Sequence, residues 1–133
     1  MDIQVELVRI LIRETEDSHI VELREVGGER TFPIVIGFHE AAAIERRLMS
    51  YKPLRPQTHE LLANLIKELG AEVEKVIISD LREHTFYARL HLRRDGKLID
   101  IDSRPSDAIA LGVALDVPFF VEQHVFDEVS KSD

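Results

Sequence analysis

The segment from Leu98 to Leu111 limits the possible folds most, because a strand must run directly into a helix there. Ile99 and Ile101 alternate with Asp100 and Asp102. Since successive side chains of a strand point to opposite faces, the two isoleucines share one face and the two aspartates share the other. The sequence therefore predicts a short strand with one apolar and one acidic face.

The helix after this strand is predicted from its first residues. Ser103 is a suitable N-cap, and Pro105 falls in the first turn, where a missing N–H costs little. The residues after Ala108 are largely apolar, which predicts a wide buried face. Asp107, Arg104 and two serines are therefore expected near one helix N-terminus, close to the aspartates of the strand.

Composition indicates one domain, covering residues 1–133, with a tail at 130–133 that we expect to fray. Apolar residues make up 44% and charged residues 32% of the chain, a balance typical of globular proteins. We see no apolar run of membrane-spanning length, no signal peptide and no cysteine, so we expect no membrane contact and a cytoplasmic protein. The net charge of −8 argues against binding nucleic acid through bulk electrostatics.

Hydrophobic periodicity predicts an α+β domain with a largely antiparallel or mixed sheet, three main helices and one weak final helix. Within this pattern, the phase of the first strand changes near Leu7 and Val8, which predicts a bulge. Pro33 favours an edge position for the third strand, and the run from Val76 to Ile78 favours a central fourth strand. The predicted elements are strands at 3–13, 19–26, 29–36, 72–79, 85–93, 98–102 and 117–121, and helices at 38–50, 58–69, from 105 and at 123–129.

The second predicted helix carries a strong apolar stripe. Thr58 is its predicted cap, and its buried positions are predicted to be Leu61, Leu62, Leu65, Ile66 and Leu69. A homo-oligomer is expected on other grounds, namely the apolar stretch from Val117 to Phe126 and the edge strands of the sheet.

The aspartates permit two interpretations. Asp100 and Asp102, with Asp107 one helical turn later, suit a hard cation such as Mg²⁺ or Mn²⁺, which would activate water for hydrolysis. In the alternative interpretation Asp100 faces solvent, Asp102 and Ser103 cap the helix, and Asp107 stabilises its first turn.

The basic residues also permit two interpretations. Arg104 and Ser106 at the helix N-terminus could bind a phosphate, or Arg104 could neutralise the neighbouring aspartates. Arg55, together with Arg46, Arg47 and Lys52, could form a basic patch for a polyanion, or these residues could be a solvated helix end.

His59 could act as a general base or as a metal ligand, and otherwise would be a surface or capping residue. Glu40 is a further candidate acid–base residue, whose structural role would be a charge in the first turn of a helix. A zinc protease is excluded, because Ala63 stands where the second histidine after His59-Glu60 is required.

The chain resembles the bifunctional nuclease domain family over most of its length, from about Val8 to Phe120. The motifs that carry the resemblance are Ile101 to Ala108, Pro33 to Gly37 with Glu40, Arg55-Pro56 with Thr58-His59, and Val76 to Ile78 with Thr85 to Tyr87.

This resemblance implies a nuclease that acts on both DNA and RNA. We expect Asp100 and Asp102, with Asp107, to hold a metal, His59 or Glu40 to transfer protons, and Arg104, Ser106 or Arg55 to bind phosphate. The second hypothesis is a non-enzymatic, oligomeric binding or regulatory module, in which the aspartate, serine and arginine cluster is structural.

Overall fold

The computed structural model of the chain describes residues 2–13, 18–51 and 53–131. For residues 130 and 131 it describes the backbone and not the side chains. Residues 14–17 of an expected charged turn, Lys52 and the final two residues of the expected frayed tail lie outside these ranges. The last helix continues to Lys131, two residues beyond its predicted end.

The described ranges form seven strands and four helices. The strands are β1 (Asp2–Leu11), β2 (His19–Glu25), β3 (Thr31–Ile36), β4 (Glu72–Arg82), β5 (Thr85–Arg94), β6 (Lys97–Ser103) and β7 (Phe119–Glu122). The helices are α1 (Phe38–Leu48), α2 (Thr58–Glu68), α3 (Pro105–Leu115) and α4 (Gln123–Lys131). No helix in these ranges has both the length and the apolar content needed to cross a membrane.

All seven strands form one mixed sheet in the order β3-β2-β1-β7-β4-β5-β6. Neighbouring strands are antiparallel except β4 and β7, which are parallel. The predicted α+β fold with a largely antiparallel sheet is therefore confirmed.

Local sequence signals place several details of this sheet. The register of β1 against β2 shifts between Leu7 and Arg9, at the predicted bulge. Pro33 lies in β3, an edge strand, where its missing N–H removes no bond to a further neighbour. Val76, Ile77 and Ile78 are buried in β4, between β7 and β5.

The sheet is strongly curled. The rings of Phe32 in β3 and Phe86 in β5 lie 5.8 Å apart, although four strands separate β3 from β5. In a flat sheet these strands would be about 24 Å apart, because neighbouring strands are spaced about 4.8 Å. Phe126 of α4 contacts Phe32 edge-on at 5.2 Å. The two ends of the sheet therefore approach each other around a shared apolar core.

Helix α3 occupies the concave face of this sheet and is the most buried helix. Its residues Ala108 to Leu111 are almost fully buried. Gly112 brings the helix close to the sheet, because a methyl group there would lie 2.6 Å from Cε1 of Phe119 and 3.1 Å from Cγ2 of Val76. A residue without a side chain is therefore required at this crossing.

Two predictions about apolar surface are wrong. Leu61, Leu62, Leu65 and Leu69 of the α2 region are exposed, and only Ile66 of the predicted set is partly buried. The stretch from Val117 to Phe126, which was expected to form an oligomer contact, instead buries its main apolar residues within the chain. The spacing of apolar residues predicts which face of a strand or helix is apolar. It does not predict which other element, if any, covers that face.

We predict that Gly112→Ala destabilises the protein by about 1–2 kcal/mol, because overpacking outweighs the gain in helix propensity. The measurement is the free energy of unfolding from urea denaturation.

The control is the pair Gly112→Ala with Phe119→Leu, which removes the ring atoms that the new methyl group would meet. The two substitutions should be less destabilising together than the sum of their separate effects. Additive effects, or a stabilised Gly112→Ala variant, would contradict the close contact.

Candidate functional site

The candidate site begins where β6 passes into α3. The strand includes Ser103, so the N-cap of the helix is Arg104, and Pro105 takes the first helical position as predicted. Ser103 is not the cap, contrary to expectation. Its hydroxyl donates a hydrogen bond to the carbonyl of Arg104 at 2.9 Å, because the chain stays extended for one residue longer than the pattern indicated.

Arg104 connects two carboxylates. Its Nε and Nη2 donate to Oδ2 of Asp107 at 2.9 and 2.8 Å, and Nη2 also donates to Oε1 of Glu40 at 2.9 Å. The hydrogen bonds and charge of Asp107, followed by the charge of Glu40, raise the pKa of Arg104 above its usual value. The guanidinium is therefore a permanent cation at this site.

Glu40 is the buried acid of the cluster. It lies in the first turn of α1, and its residue is only 7% exposed. Its Oε1 accepts one hydrogen bond from Arg104 and another, at 3.3 Å, from the hydroxyl of Ser106. A buried carboxylate requires such partners, because removal from water is otherwise costly.

His59 completes the cluster from the start of α2. It is 8% exposed, and its Nε2 lies 3.2 Å from Oδ1 of Asp107. Asp107 thus contacts His59 with one oxygen and Arg104 with the other. The N-terminal turns of α1, α2 and α3 therefore meet at one point, where their partial positive charges stabilise the carboxylates.

The site cluster, which we define as Glu40, His59, Arg104, Ser106 and Asp107, borders a cleft of about 540 Å³. Glu40, Arg104 and Ser106 line this cleft directly. The cleft is also lined by residues of β3, of the turn between β4 and β5, and of the start of β5.

His84 of that turn and Thr85, the first residue of β5, line the same cleft. The sequence placed His84 at an ordinary surface position, and no local pattern links it to Glu40. The backbone of His84 is left-handed, with φ of 66°. The curl of the sheet brings this turn to the cleft, so only the tertiary structure identifies the two residues.

Asp100 and Asp102 lie on the other face of the sheet. Their neighbours Ile99 and Ile101 pair with Leu92 and Leu90, which belong to the core.

On that outer face Arg89 donates to Asp100 at 2.9 Å and approaches Asp102 at 3.6 Å. The hydrogen bond and charge of Asp100 raise the pKa of Arg89. These aspartates therefore have a cation of their own.

The structure does not bring the three predicted metal ligands together. Asp107 contacts His59 and Arg104, whereas Asp100 and Asp102 contact Arg89. Among the described residues, no group of three or more histidine, cysteine, aspartate or glutamate side chains is placed to hold an ion. The binding of Mg²⁺ or Mn²⁺ stays a prediction.

Arg55 is separate from the site cluster. It is exposed in the loop between α1 and α2, and the side-chain hydrogen bonds of the described cluster run among the cluster residues themselves. Its predicted role in phosphate binding is therefore untested by the geometry.

We predict that Arg104→Gln lowers the free energy of unfolding by about 1–3 kcal/mol, because the buried Glu40 carboxylate loses its cation. We expect a value in the lower half of that range, because the Arg104 side chain is 69% exposed and water can replace part of the interaction. Urea denaturation at neutral pH measures the change.

Arg89→Gln is the matched control, because it removes the same charge from an exposed pair on the other face of the sheet. Its unfolding midpoint should stay close to that of the unaltered protein. Equal losses of unfolding free energy in the two variants would show that the contact between Arg104 and Glu40 stabilises the fold no more than an exposed ion pair does.

Comparison with known proteins identifies relatives of this chain. The profile of the bifunctional nuclease domain matches residues 20–133. A Mycobacterium tuberculosis protein described as uncharacterized is 40% identical over 122 residues, covering 92% of this chain and 73% of that protein.

Plant relatives are more distant. Bifunctional nuclease 1 of Oryza sativa subsp. indica is 25% identical over 118 residues, and bifunctional nuclease 2 of Arabidopsis thaliana is 26% identical over 111 residues. These matches cover 86% and 81% of this chain but only 36% and 34% of the plant proteins, so this chain corresponds to about a third of each. On the match to the family profile, which spans most of its length, the chain belongs to the bifunctional nuclease domain family.

Proposed function

We propose that this protein hydrolyses phosphodiester bonds in DNA and RNA at the cleft beside the site cluster. The observation that carries the proposal is a permanent cation, Arg104, at the cleft wall and hydrogen-bonded to Asp107, which also contacts His59. Phosphodiester hydrolysis requires these two elements, a cation for the phosphate and a proton acceptor for water. The family match and the names of the plant relatives support the same reaction class.

Arg104 is the proposed phosphate-binding group. Its Nε and Nη2 contact carboxylates, whereas Nη1 has no hydrogen-bond partner among the described residues. The side chain is also 69% exposed, so a phosphate oxygen can approach it from the cleft. Ser106 lines the same cleft and adds a hydroxyl donor. Charge-assisted bonds of this kind are the strongest that a phosphate makes with a protein.

His59 is the proposed general base. Its contact with Asp107 orients the imidazole. In the proposed step His59 accepts a proton from water, and the water oxygen forms a bond to phosphorus. The bond from phosphorus to the leaving sugar oxygen then breaks, and that oxygen takes a proton from solvent. Glu40 is the alternative proton acceptor, because it borders the cleft directly.

No step of this proposal passes through a metal ion. The predicted ligands Asp100, Asp102 and Asp107 do not fit one site, since arginines contact all three carboxylates. We retain Mg²⁺ or Mn²⁺ as an addition to be tested in the assay. If a cation is required, residues other than that set of three must bind it.

A second candidate function is a non-enzymatic binding or regulatory module. One observation favours it, because both carboxylates of the site cluster are already bound to Arg104 and therefore form a satisfied polar network. In this interpretation the network has a purely structural role, which is to fix the starts of the three helices. A protein of this kind would fold normally and leave nucleic acid intact.

We predict that the purified protein cleaves single-stranded DNA and RNA, and that His59→Gln reduces the rate by about 10²–10⁴-fold through loss of the general base. Cleavage is followed on end-labelled oligonucleotides, with Mg²⁺, with Mn²⁺ and with EDTA. His39→Gln is the matched control, because His39 is an exposed histidine of the same helix as Glu40.

The double variant Asp100→Asn with Asp102→Asn distinguishes a site at the cleft from a site on the outer face of the sheet. Full activity in it, with loss in His59→Gln, supports the cleft as the site. Loss only in the aspartate variant would move the site to the outer face. Equal activity in every variant would indicate a contaminating nuclease, and no activity in any protein would leave the binding module as the better account.

We also propose a homo-oligomer, but through α2 rather than through the stretch expected from the sequence. Leu61, Leu62, Leu65 and Leu69 are each between 39% and 63% exposed. Together they expose on the order of 300–400 Å² of apolar surface, which approaches the largest apolar patch of a typical monomer. A second copy of the same helix would present an equal stripe, as a symmetric dimer requires.

We predict that Leu61→Gln with Leu65→Gln shifts the protein toward the monomer, because glutamine retains helix propensity but removes apolar contact. Light scattering after size-exclusion chromatography measures the mass. Val26→Gln is the control, since Val26 is exposed in the turn between β2 and β3. A monomeric unaltered protein would refute the proposed interface.

A further inference from the structure

A second groove runs along α2 and past the C-terminal ends of α1 and α3. Its volume is about 540 Å³. Its lining includes Arg46 and Arg47 of α1, Lys67 of α2, and Tyr51 and Leu54 of the intervening loop. Ala114 and Leu115, at the C-terminal end of α3, also line the groove. We call this surface the basic groove.

The basic groove and the site cluster are joined by the helices themselves. Glu40 begins α1 and Arg47 lies near its end, and His59 begins α2 and Lys67 lies near its end. Each pair is separated by about 10–12 Å along its helix axis. That distance corresponds to on the order of three stacked nucleotides, because charges along one strand are about 3.4 Å apart.

The cations of the basic groove differ from most others in this acidic chain. Arg46, Arg47 and Lys67 form no ion pair with any residue in the described ranges. Most arginines there do contact a carboxylate, among them Arg9, Arg24, Arg30, Arg82, Arg89, Arg93 and Arg104. Glu60 is the acid that lines the groove, and its Oε1 accepts a hydrogen bond from the backbone of Gln57. The lining of the groove therefore carries more positive than negative charge, since three cations face one carboxylate.

Helix electrostatics explain part of this arrangement. Basic residues are favourable in the last turn of a helix, where Arg46, Arg47 and Lys67 are found. This effect explains why each helix, taken separately, has basic residues in its last turn. It does not require the three side chains to face one cavity, which is what a polyanion would need.

The wall of the groove also offers a stacking surface. Tyr51 is 61% exposed, and Leu54 beside it is fully exposed. Pro53 and Pro56 restrict the backbone of this loop. An exposed aromatic ring next to cations is the combination that binds single-stranded nucleic acid without sequence preference, because every base presents a face for stacking.

We propose that the basic groove binds the single-stranded nucleic acid that flanks the bond cleaved at the site cluster. This inference rests on the proposed nuclease function and names its substrate as an unpaired strand. The phosphates contact Arg46, Arg47 and Lys67, and a base stacks on Tyr51. A local groove of this kind makes the net charge of −8 compatible with a nucleic-acid substrate.

The test is direct binding, measured by fluorescence anisotropy with labelled oligothymidylate and oligouridylate over a range of salt concentrations, in EDTA. The double variant Arg46→Gln with Arg47→Gln should bind about tenfold more weakly at low salt. Its salt dependence should also fall, because each lost phosphate contact removes about 0.7 from the slope of log affinity against log salt for a single strand.

The matched control is Arg94→Gln with Lys97→Gln, which removes two charges at the far edge strand of the sheet, at the turn between β5 and β6. Its affinity should equal that of the unaltered protein. Tyr51→Leu should also weaken binding, with an unchanged salt slope, because stacking rather than charge is lost. Thermal melting of each variant verifies that the fold is intact.

The outcomes separate this inference from the proposed function. His59→Gln should bind the strand normally without cleaving it. If the unaltered protein also binds the strand but does not cleave it, the groove is retained and the nuclease proposal is refuted. Equal binding by the groove and control variants, no binding by the unaltered protein, or binding confined to duplexes would each overturn the groove. Where cleavage occurs, the groove variant should raise KM and leave kcat unchanged.

Discussion

The contact between Arg104 and two carboxylates holds the centre of this protein together. Glu40 is buried in the first turn of α1, and Asp107 lies in the first turn of α3. Because Asp107 also contacts His59, the same network reaches α2. A buried carboxylate is costly without a cation, so the three helices must start close together. The charges that could bind a phosphate are thus the charges that position the helices.

The curl of the sheet is the second constraint, and the apolar character of α3 explains it. A helix that is buried on most of its sides needs cover from several directions, which a flat sheet cannot provide. Phe32 and Phe86 meet because β3 and β5 bend toward each other around the core. The cleft forms where these two ends of the sheet approach the start of α3. The location of the candidate site therefore follows from core packing.

Local sequence patterns predicted the local features of the fold. The β1 bulge, the edge position of Pro33 and the two faces of β6 depend on neighbouring residues, and the structure confirms each. Tertiary features were not accessible in this way. Asp102 and Asp107 are close in sequence, but the passage from strand to helix sends them to different partners. His84 reaches the cleft only because the sheet curls. The leucines of α2 form an apolar stripe in the sequence, but the sequence does not indicate whether another part of the chain covers it.

The net charge is a poor guide to what this surface can bind, because ion pairs redistribute it. Arg24 and Arg93 each contact a glutamate across neighbouring strands, so they contribute little positive potential. Arg46 and Arg47 have no such partner in the described ranges and lie together at one groove. Screening also restricts the repulsion from distant acids to about one Debye length, near 10 Å at moderate salt. A strand that follows the groove toward Arg104 would therefore experience mainly the local cations, and the acidic remainder of the chain would oppose only nonspecific binding elsewhere.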